Sequence, residues 1–303
     1  MREMMNNCSS SQKSSHLSGQ RIKELYNSSY TSMLLEDITI SNSLTFRTWM
    51  NQQQFYRAEP EAFGKLLCDQ YWSSFDRDMD SLLRSIAFGI VYSDHAFLEL
   101  VTYRDDTGSL KRISFVPIVP LLHFSGGLNT YFLILVNAPG RLRLFRVPNK
   151  SLIAISSKEL GLSRFYFRTL TKRLKQLDPL RTVDLAISSN KNGFDFSSSN
   201  RKNDLLLLKI TREIGWFGRK PDNQHMSKSY LSFRIIQFKN FQRKLLQYSL
   251  KKINSVLQIN SKELGVTGRI IANYSNPQFE AEFSKLTAGK VNLSLLNKKI
   301  FKV

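Results

Sequence analysis

The spacing of apolar residues changes from a helical period to a strand period near Gly89, and this change constrains the fold more than any other feature. Before it, apolar residues recur three or four positions apart, which predicts an amphipathic helix over residues 75–88 that ends at Gly89. After it, the runs 97–103 and 110–118 follow a period of two and flank a turn that ends at Gly108. The sequence therefore predicts a helix followed by a β-hairpin.

The rest of the chain also mixes strands with helices. A second hairpin is predicted from residues 131–136 and 141–147, and a third strand from residues 151–155. In the second hairpin Arg141 and Arg143 alternate with leucines, so the two arginines share one face. Further elements are a basic helix over 162–177, a strand over 205–210, a long basic helix over 227–258, a strand over 269–273 and a short helix over 278–288. The fold class is α+β.

Positive charge is concentrated in the C-terminal two-thirds of the chain. The chain carries 44 Lys and Arg against 24 Asp and Glu, a net charge of +20. Residues 1–106 hold 10 basic and 14 acidic side chains (−4), which leaves +24 for residues 107–303. A field of this sign attracts polyanions such as nucleic acid, acidic proteins or anionic lipid. The candidate contacts to DNA or a neighbouring subunit are the cations of the long helix: Arg234, Lys239, Arg243, Lys244, Lys251 and Lys252.

Catalytic and metal-binding motifs are missing from the sequence. It contains no phosphate-binding loop, no dinucleotide fingerprint, no HExxH and no GxSxG, and its two cysteines lack metal-site spacing. We therefore expect no enzymatic activity and no cofactor, although a metal-dependent nuclease using Asp76, Asp78 and Glu99 remains an alternative. No run is apolar enough to span a membrane, and no secretory signal is expected. Trp216, between two glycines, is either an exposed wedge or a core residue.

Two stretches resemble the portal proteins of tailed bacteriophages, the ring-forming connectors between head and tail. Residues 74–124 match the pattern of the portal wing, an amphipathic helix followed by a strand with a glutamate, a glycine turn and a proline-rich strand end. The matching residues are Leu82, Ala87, Gly89, Glu99, Gly108, Pro117 and Pro120. Residues 228–297 resemble the C-terminal half of the family. The matching residues there are Ile270, Asn276, Pro277, Phe279, Leu286 and Gly289.

The resemblance implies a domain organisation and a function. A Ser/Asn-rich composition predicts a disordered tail at 1–20 and a polar loop at 187–203. Around them the resemblance implies an α+β wing-like domain at 21–160, a basic stem-like helical region at 161–258 and a C-terminal strand with short helices at 259–303. It also implies a dodecameric ring at one capsid vertex, through which double-stranded DNA is packaged and ejected. Capsid, terminase and neck proteins would be its partners, and it would be found in the virion and, during assembly, in the host cytoplasm.

The charge pattern leaves a second function open. A basic nucleic-acid-binding accessory protein of replication or packaging, with no ring assembly, also accounts for a charge of +24 in residues 107–303. The two hypotheses differ in the mass of the protein in solution.

Overall fold

The computed structural model describes residues 29–39, 55–67, 75–120, 122–125, 130–137, 141–187, 196–218, 227–273 and 279–293, and has the predicted α+β architecture. The helices are α1 (Ser29–Asp37), α2 (Glu61–Leu67), α3 (Phe75–Ser93), α4 (Tyr166–Ile187), α5 (Phe196–Ile210), α6 (Lys228–Ile259), α7 (Ser261–Leu264) and α8 (Phe279–Thr287). The strands are β1 (Tyr56–Glu59), β2 (His95–Arg104), β3 (Leu110–Ile118), β4 (Leu122–Ser125), β5 (Thr130–Asn137), β6 (Arg141–Pro148), β7 (Leu152–Ser156) and β8 (Arg269–Ala272).

The junction between α3 and β2 corrects the predicted end of the first helix. Helix α3 continues past Gly89 to Ser93, and the chain turns at Asp94, whose φ is +61°. Gly89 lies inside the helix because strand β2 passes directly against it. A Cβ atom at this position would lie 3.0 Å from the Cα of Ala96. The glycine therefore permits a close helix–strand contact instead of ending the helix.

Both predicted hairpins form, and they belong to two different sheets. Strand β2 pairs antiparallel with β3 on one side and with β7 on the other, which confirms the third predicted strand. Strands β4, β5 and β6 form a second antiparallel sheet in that order, and β1 pairs with β8 in a third. A small apolar cluster joins the first two sheets: Phe97, Leu133, Val147 and Leu152. Each sheet thus has a defined register and a buried face.

Helix α5 corrects the prediction of a strand over residues 205–210 and shortens the predicted polar loop. The side chains of Asp204, Leu207 and Leu208 are buried, whereas Leu205 and Leu206 are exposed, which is the periodicity of a helix with one packed face. A run of four leucines hides this periodicity from the sequence pattern. Of the predicted loop 187–203, residue 187 ends α4, residues 196–203 belong to α5 and residues 188–195 lie outside the described residues.

The last two helical predictions match closely, whereas the predicted basic helix over 162–177 is displaced, because α4 begins at Tyr166 and ends at Ile187. Helix α6 covers the long predicted helix almost residue for residue, and the hydroxyl of Ser227 accepts a hydrogen bond from the amide of Tyr230 as its N-cap. Helix α8 ends before Gly289, which has a φ of +71°. The tail at 1–20, the Asn276–Pro277 cap and residues beyond 293 lie outside the described residues.

One large core connects most of these elements. It collects buried residues from α1, α3, the β3–β2–β7 sheet, α4, the end of α5 and one side of α6. Its members run from Tyr30 to Ala272, so the three predicted segments after the tail all contribute to it. The core fixes α4, α5 and α6 against one another and decides which of their side chains reach solvent.

Candidate polyanion-binding surface

The six cations predicted on α6 do not form one exposed face. Arg234 and Arg243 are buried, with exposed fractions of 1% and 7%. Lys252 is half-buried. The exposed members are Lys239, Lys244 and Lys251. The structure brings Lys244, Lys251 and Lys252 together at one place and keeps Arg234 in the core.

Arg234 ties α6 to the C-terminal end of α5. Its Nη2 atom donates to the carbonyl of Thr211 at 3.1 Å, to the Thr211 hydroxyl at 2.7 Å and to the carbonyl of Trp216 at 2.7 Å. Its Nη1 atom donates to the carbonyl of Arg212 at 3.2 Å. Burial lowers the pKa of Arg234. The guanidinium adds a second donor to carbonyl groups just beyond the end of α5, which also accept from the Gly215 amide, the Gln237 side chain and the Thr211 hydroxyl, so its role in this chain is structural.

The loop after α5 is shaped to reach this arginine. Gly215 has a φ of +81°, and a Cβ atom there would lie 2.7 Å from the backbone nitrogen of Phe238 on α6. Only glycine allows this conformation and this close approach. The next residue, Trp216, is a core residue, and its indole nitrogen donates to a carboxylate oxygen of Asp37 at 3.0 Å. Of the two interpretations of Trp216, the core position is the one observed.

Lys244 and Lys251 line a depression of about 370 Å³ together with Glu159 and Tyr248, and Lys252 adjoins it through its contacts with those two residues. The ammonium of Lys252 lies 3.1 Å from a Glu159 carboxylate oxygen. Partial burial disfavours the charge of Lys252, but the hydrogen bonds to Glu159 and Tyr248 and the charge of Glu159 raise its pKa. Partial burial favours the neutral form of Glu159, but hydrogen bonds from Tyr248, the Ser156 amide and Lys252, with the charge of Lys252, lower its pKa. A carboxylate of the chain thus already neutralises part of this cluster.

The helices α4 and α5, with the residues just before α4 and just after α5, carry a second, larger group of cations, which we call the α4–α5 basic surface. All of its members are exposed: Arg164, Arg168, Lys172, Arg173, Lys175, Arg201, Lys202, Lys209 and Arg212. Within residues 161–177 and 201–218, where side chains are described, Glu213 is the single exposed carboxylate. The sequence pattern identified the basic side of α4. It did not show that α5 adds cations beside it, because residues 205–210 were assigned to a strand.

A cleft of about 240 Å³ lies within this surface, between the first turns of α4 and the end of α5. Four of its lining residues are cations: Arg164, Arg173, Lys209 and Arg212. Glu213 also lines it, and its carboxylate accepts hydrogen bonds from the amide and the hydroxyl of Ser163, both at 3.3 Å. The cleft is therefore predominantly cationic.

Asp94 holds the N-terminus of α4 in place. Its carboxylate accepts hydrogen bonds from the amide of Phe167 at 2.8 Å and from the amide of Arg168 at 3.2 Å. Burial raises the pKa of Asp94, and these two hydrogen bonds act against that rise. The carboxylate caps the helix as an N-cap residue does, but from a position 73 residues earlier in the chain. No local sequence signal reveals a cap at that separation.

Asp76, one of the carboxylates of the nuclease alternative, takes up a structural position. Asp76 accepts hydrogen bonds from the amides of Tyr56 at 2.6 Å and Phe55 at 3.2 Å, and so ties β1 to α3. Burial raises the pKa of Glu99 on β2. Among the residues that the structure describes, no group of three or more His, Cys, Asp or Glu side chains is arranged to hold a metal ion.

Two further observations bear on membrane contact and on relatives. In the described part of the chain, no helix has both the length and the apolar composition needed to cross a bilayer. No protein-family model matches the sequence, and no curated protein matches it. The α4–α5 basic surface is therefore the feature on which a functional argument rests.

Proposed function

We propose that the protein is a structural virion protein that forms a ring at the portal vertex of a capsid, through which DNA is packaged and ejected. The observation that carries this proposal is the α4–α5 basic surface, with nine exposed cations and one exposed carboxylate where side chains are described. In the proposed ring the surface contacts the phosphate backbone of the passing duplex. The role needs no catalytic residue and no cofactor in this chain.

The dimensions of α4 suit contact with a duplex. A helix of 22 residues is ~33 Å long, close to the length of one turn of double-stranded DNA. The duplex carries one negative charge per ~1.7 Å of its axis, so several phosphates face a helix of this length. Cations spread along α4 and α5 neutralise these phosphates without contact to base edges. Contact of this kind tolerates any sequence, as the passage of a whole genome requires.

An exposed apolar face on the second sheet supports assembly into an oligomer. Pairing of β4 with β5 and of β5 with β6 places four exposed residues on one side of this sheet, with these exposed fractions: Leu122 60%, Phe124 49%, Leu142 62% and Leu144 60%. Phe124 also stacks on Phe132, with ring centroids 5.2 Å apart. Contiguous apolar patches of this kind mark protein–protein contacts. In the proposed ring this face packs against the neighbouring copy of the chain.

The proposal includes the partners that the resemblance implies. Beyond copies of itself in a dodecameric ring and double-stranded DNA, these are the capsid, the terminase and the neck proteins. The proposed location is the virion, and the host cytoplasm during assembly. The net charge of +20 opposes self-assembly, and this repulsion is screened over about 8–10 Å at ordinary ionic strength. We therefore expect ring formation to depend on salt or on a polyanion.

The test is the assembly state of the purified full chain over a salt series, with and without duplex DNA. Light scattering should report a mass many times 35.0 kDa, and negative-stain images should show closed rings. Replacing Leu142 and Leu144 by Ser should leave the chain folded and abolish the rings. If only monomer or dimer is found under all of these conditions, the ring proposal fails.

The same basic surface favours a second function. A nucleic-acid-binding accessory protein, acting as a monomer or dimer, would use the α4–α5 basic surface in the same way but would not need the apolar sheet face for a ring. It predicts tight, salt-sensitive DNA binding by a protein of low mass. Duplex binding without rings would favour this second function.

A further inference from the structure

We infer that the cleft between α4 and α5 is a binding site for single phosphate groups of the DNA backbone, and that it grips the backbone independently of base sequence. The inference rests on the proposed DNA contact, because it names the place on the α4–α5 basic surface where the contact is most specific. It also predicts that inorganic phosphate binds in the cleft, which can be tested without DNA.

Cations from two helices and the residues next to them converge on the cleft. Arg164 and Arg173 reach the cleft from the start of α4, and Lys209 and Arg212 reach it from the end of α5. None of the four forms an ion pair with any residue that the structure describes. Four like charges around a space of about 240 Å³ repel one another, and a bound anion relieves that repulsion. The lining carries four positive charges against one, so an anion is the ligand it favours.

The side chains that line the cleft are suited to hydrogen bonding with phosphate oxygens. Guanidinium groups match the geometry of phosphate oxygens and bind them with paired hydrogen bonds. The guanidinium carbon of Arg164 lies 4.8 Å from the ring centroid of Phe165, a cation–π contact that restrains the position of the group. The exposed hydroxyl of Thr169 adds a further donor on the same wall. The single carboxylate, Glu213, is engaged by Ser163.

The cleft lacks several of the groups that recognise a base. Its lining residues include no Asn or Gln, the side chains that pair with adenine edges. The one tyrosine in the lining, Tyr166, is buried, and its hydroxyl donates to the carbonyl of Ile210 at 3.4 Å. The ring is therefore not presented for stacking. Arginine and lysine can also pair with guanine edges, but a cleft that offers no amide side chain and no stacking ring favours contact with the phosphate backbone over base readout.

The depression on α6 shows why the cleft is the better candidate. Only two cations, Lys244 and Lys251, line that depression, and the carboxylate of Glu159 lines it with them. Part of the charge of that depression is therefore compensated within the chain. The cleft keeps a larger uncompensated charge in a smaller volume.

The experiment compares two double variants of the full chain, matched in charge and in helix. Arg173→Gln with Lys209→Gln removes two cations of the cleft. Lys172→Gln with Lys202→Gln removes two exposed cations of the same helices that do not line the cleft. The melting temperature of each protein is measured in sodium phosphate and in sodium chloride at equal ionic strength. A ligand that binds only the folded state raises this temperature.

We expect phosphate to raise the melting temperature of the unaltered chain and of the Lys172/Lys202 variant by about 2 °C or more over chloride. The rise should vanish in the Arg173/Lys209 variant. Equal rises in both variants, or no rise in the unaltered chain, would overturn the inference. Circular dichroism spectra of both variants establish that the substitutions leave the fold intact.

Binding of two short duplexes of unrelated sequence separates this inference from the proposed function. The unaltered chain should bind both with affinities within about twofold, because phosphate contacts carry no sequence information. The cleft variant should lose more affinity than the matched variant. If duplex binding is strong but both variants lose the same amount, the inference fails and the proposed DNA contact stands. If phosphate stabilises the chain but no duplex binds, the phosphate site stands and the DNA function fails.

Discussion

Helix α6 and the α4–α5 pair have the same kind of sequence, an apolar stripe with basic residues around it, yet their cations lie in different places. On α6 the structure buries Arg234 and Arg243 and pairs Lys252 with Glu159. On α4, α5 and the residues next to them, nine cations remain exposed beside a single exposed carboxylate where side chains are described. A basic helix is therefore a DNA-contact candidate only once its neighbours are known.

The number of elements around each helix explains this difference. Helix α6 contacts α3, α8, β7 and β8, so little of its circumference is left to solvent. A cation buried in such a helix needs hydrogen-bond acceptors. Arg234 donates to carbonyl groups just beyond the end of α5. On α4, the side chains of Leu170, Leu174 and Leu177 are buried, and the exposed side keeps its cations in water.

The largest expected effect comes from Arg234, the buried cation of α6, and would sharpen this comparison. Arg234→Ala should lower the free energy of unfolding by about 3 kcal/mol, because the buried hydrogen bonds of the guanidinium are lost and the truncated side chain leaves a cavity in the core. Chemical denaturation measures the change. Lys251→Ala, an exposed substitution on the same helix, is the control and should stay within about 0.5 kcal/mol of the unaltered protein. A loss below about 1 kcal/mol for Arg234→Ala would place this arginine among the dispensable surface cations.

The second prediction tests the exposed cations of α4 and α5. Replacing Arg168, Lys172 and Arg201 by Gln should flatten the salt dependence of duplex binding by roughly two to three units in the log–log slope, since each neutralised phosphate contributes about −0.9. Filter binding over a salt series measures the slope. The corresponding replacement of Lys239, Lys244 and Lys251 on α6 should change it less. A larger effect from the α6 replacement would instead support the DNA contact that the sequence predicted on α6.

A third prediction extends the comparison from buried cations to a buried carboxylate. Burial raises the pKa of Asp80 on α3 from 3.8 to about 6. A carboxylate with a raised pKa binds its proton more tightly in the folded state, so the stability it contributes is complete below pH 4 and is lost as the pH rises to 6. Asp80→Asn should reduce the fall in unfolding free energy between pH 4 and 6, as measured by denaturation at each pH. Asp78→Asn is the control, and equal pH profiles for the two variants would contradict the assignment.

The smallest expected effect concerns the half-buried pair between Lys252 and Glu159. Lys252→Gln should cost no more than about 1 kcal/mol of unfolding free energy, because exposed ion pairs contribute little net stability. The same variant should leave the salt slope of duplex binding nearly unchanged. Equilibrium denaturation and a binding series on one preparation test both statements. A slope change of one unit or more would show that Lys252 contacts phosphate despite its internal partner.

The sequence predicted regular elements where the apolar period was clear and failed where it was not. The two hairpins, the strand over 151–155 and the long helix α6 follow from period and punctuation alone. Gly89 did not end its helix, because the close approach of Ala96 that requires a glycine there is a tertiary contact. The four consecutive leucines at 205–208 fit a buried strand and a helix equally well, and only their burial, two exposed residues followed by two buried ones, identifies the helix.

By itself the sequence determined that the chain is an α+β protein with its positive charge in the last two-thirds, since composition and apolar period are properties of the chain alone. The tertiary structure decided which of those charges meet solvent. Asp94 caps α4 from 73 residues away, and Arg234 caps the end of α5 from 22 residues away. Contacts between residues so far apart depend on how helices and sheets pack, and a pattern of local spacing carries no information about that packing. The cleft between α4 and α5 exists only because of such contacts.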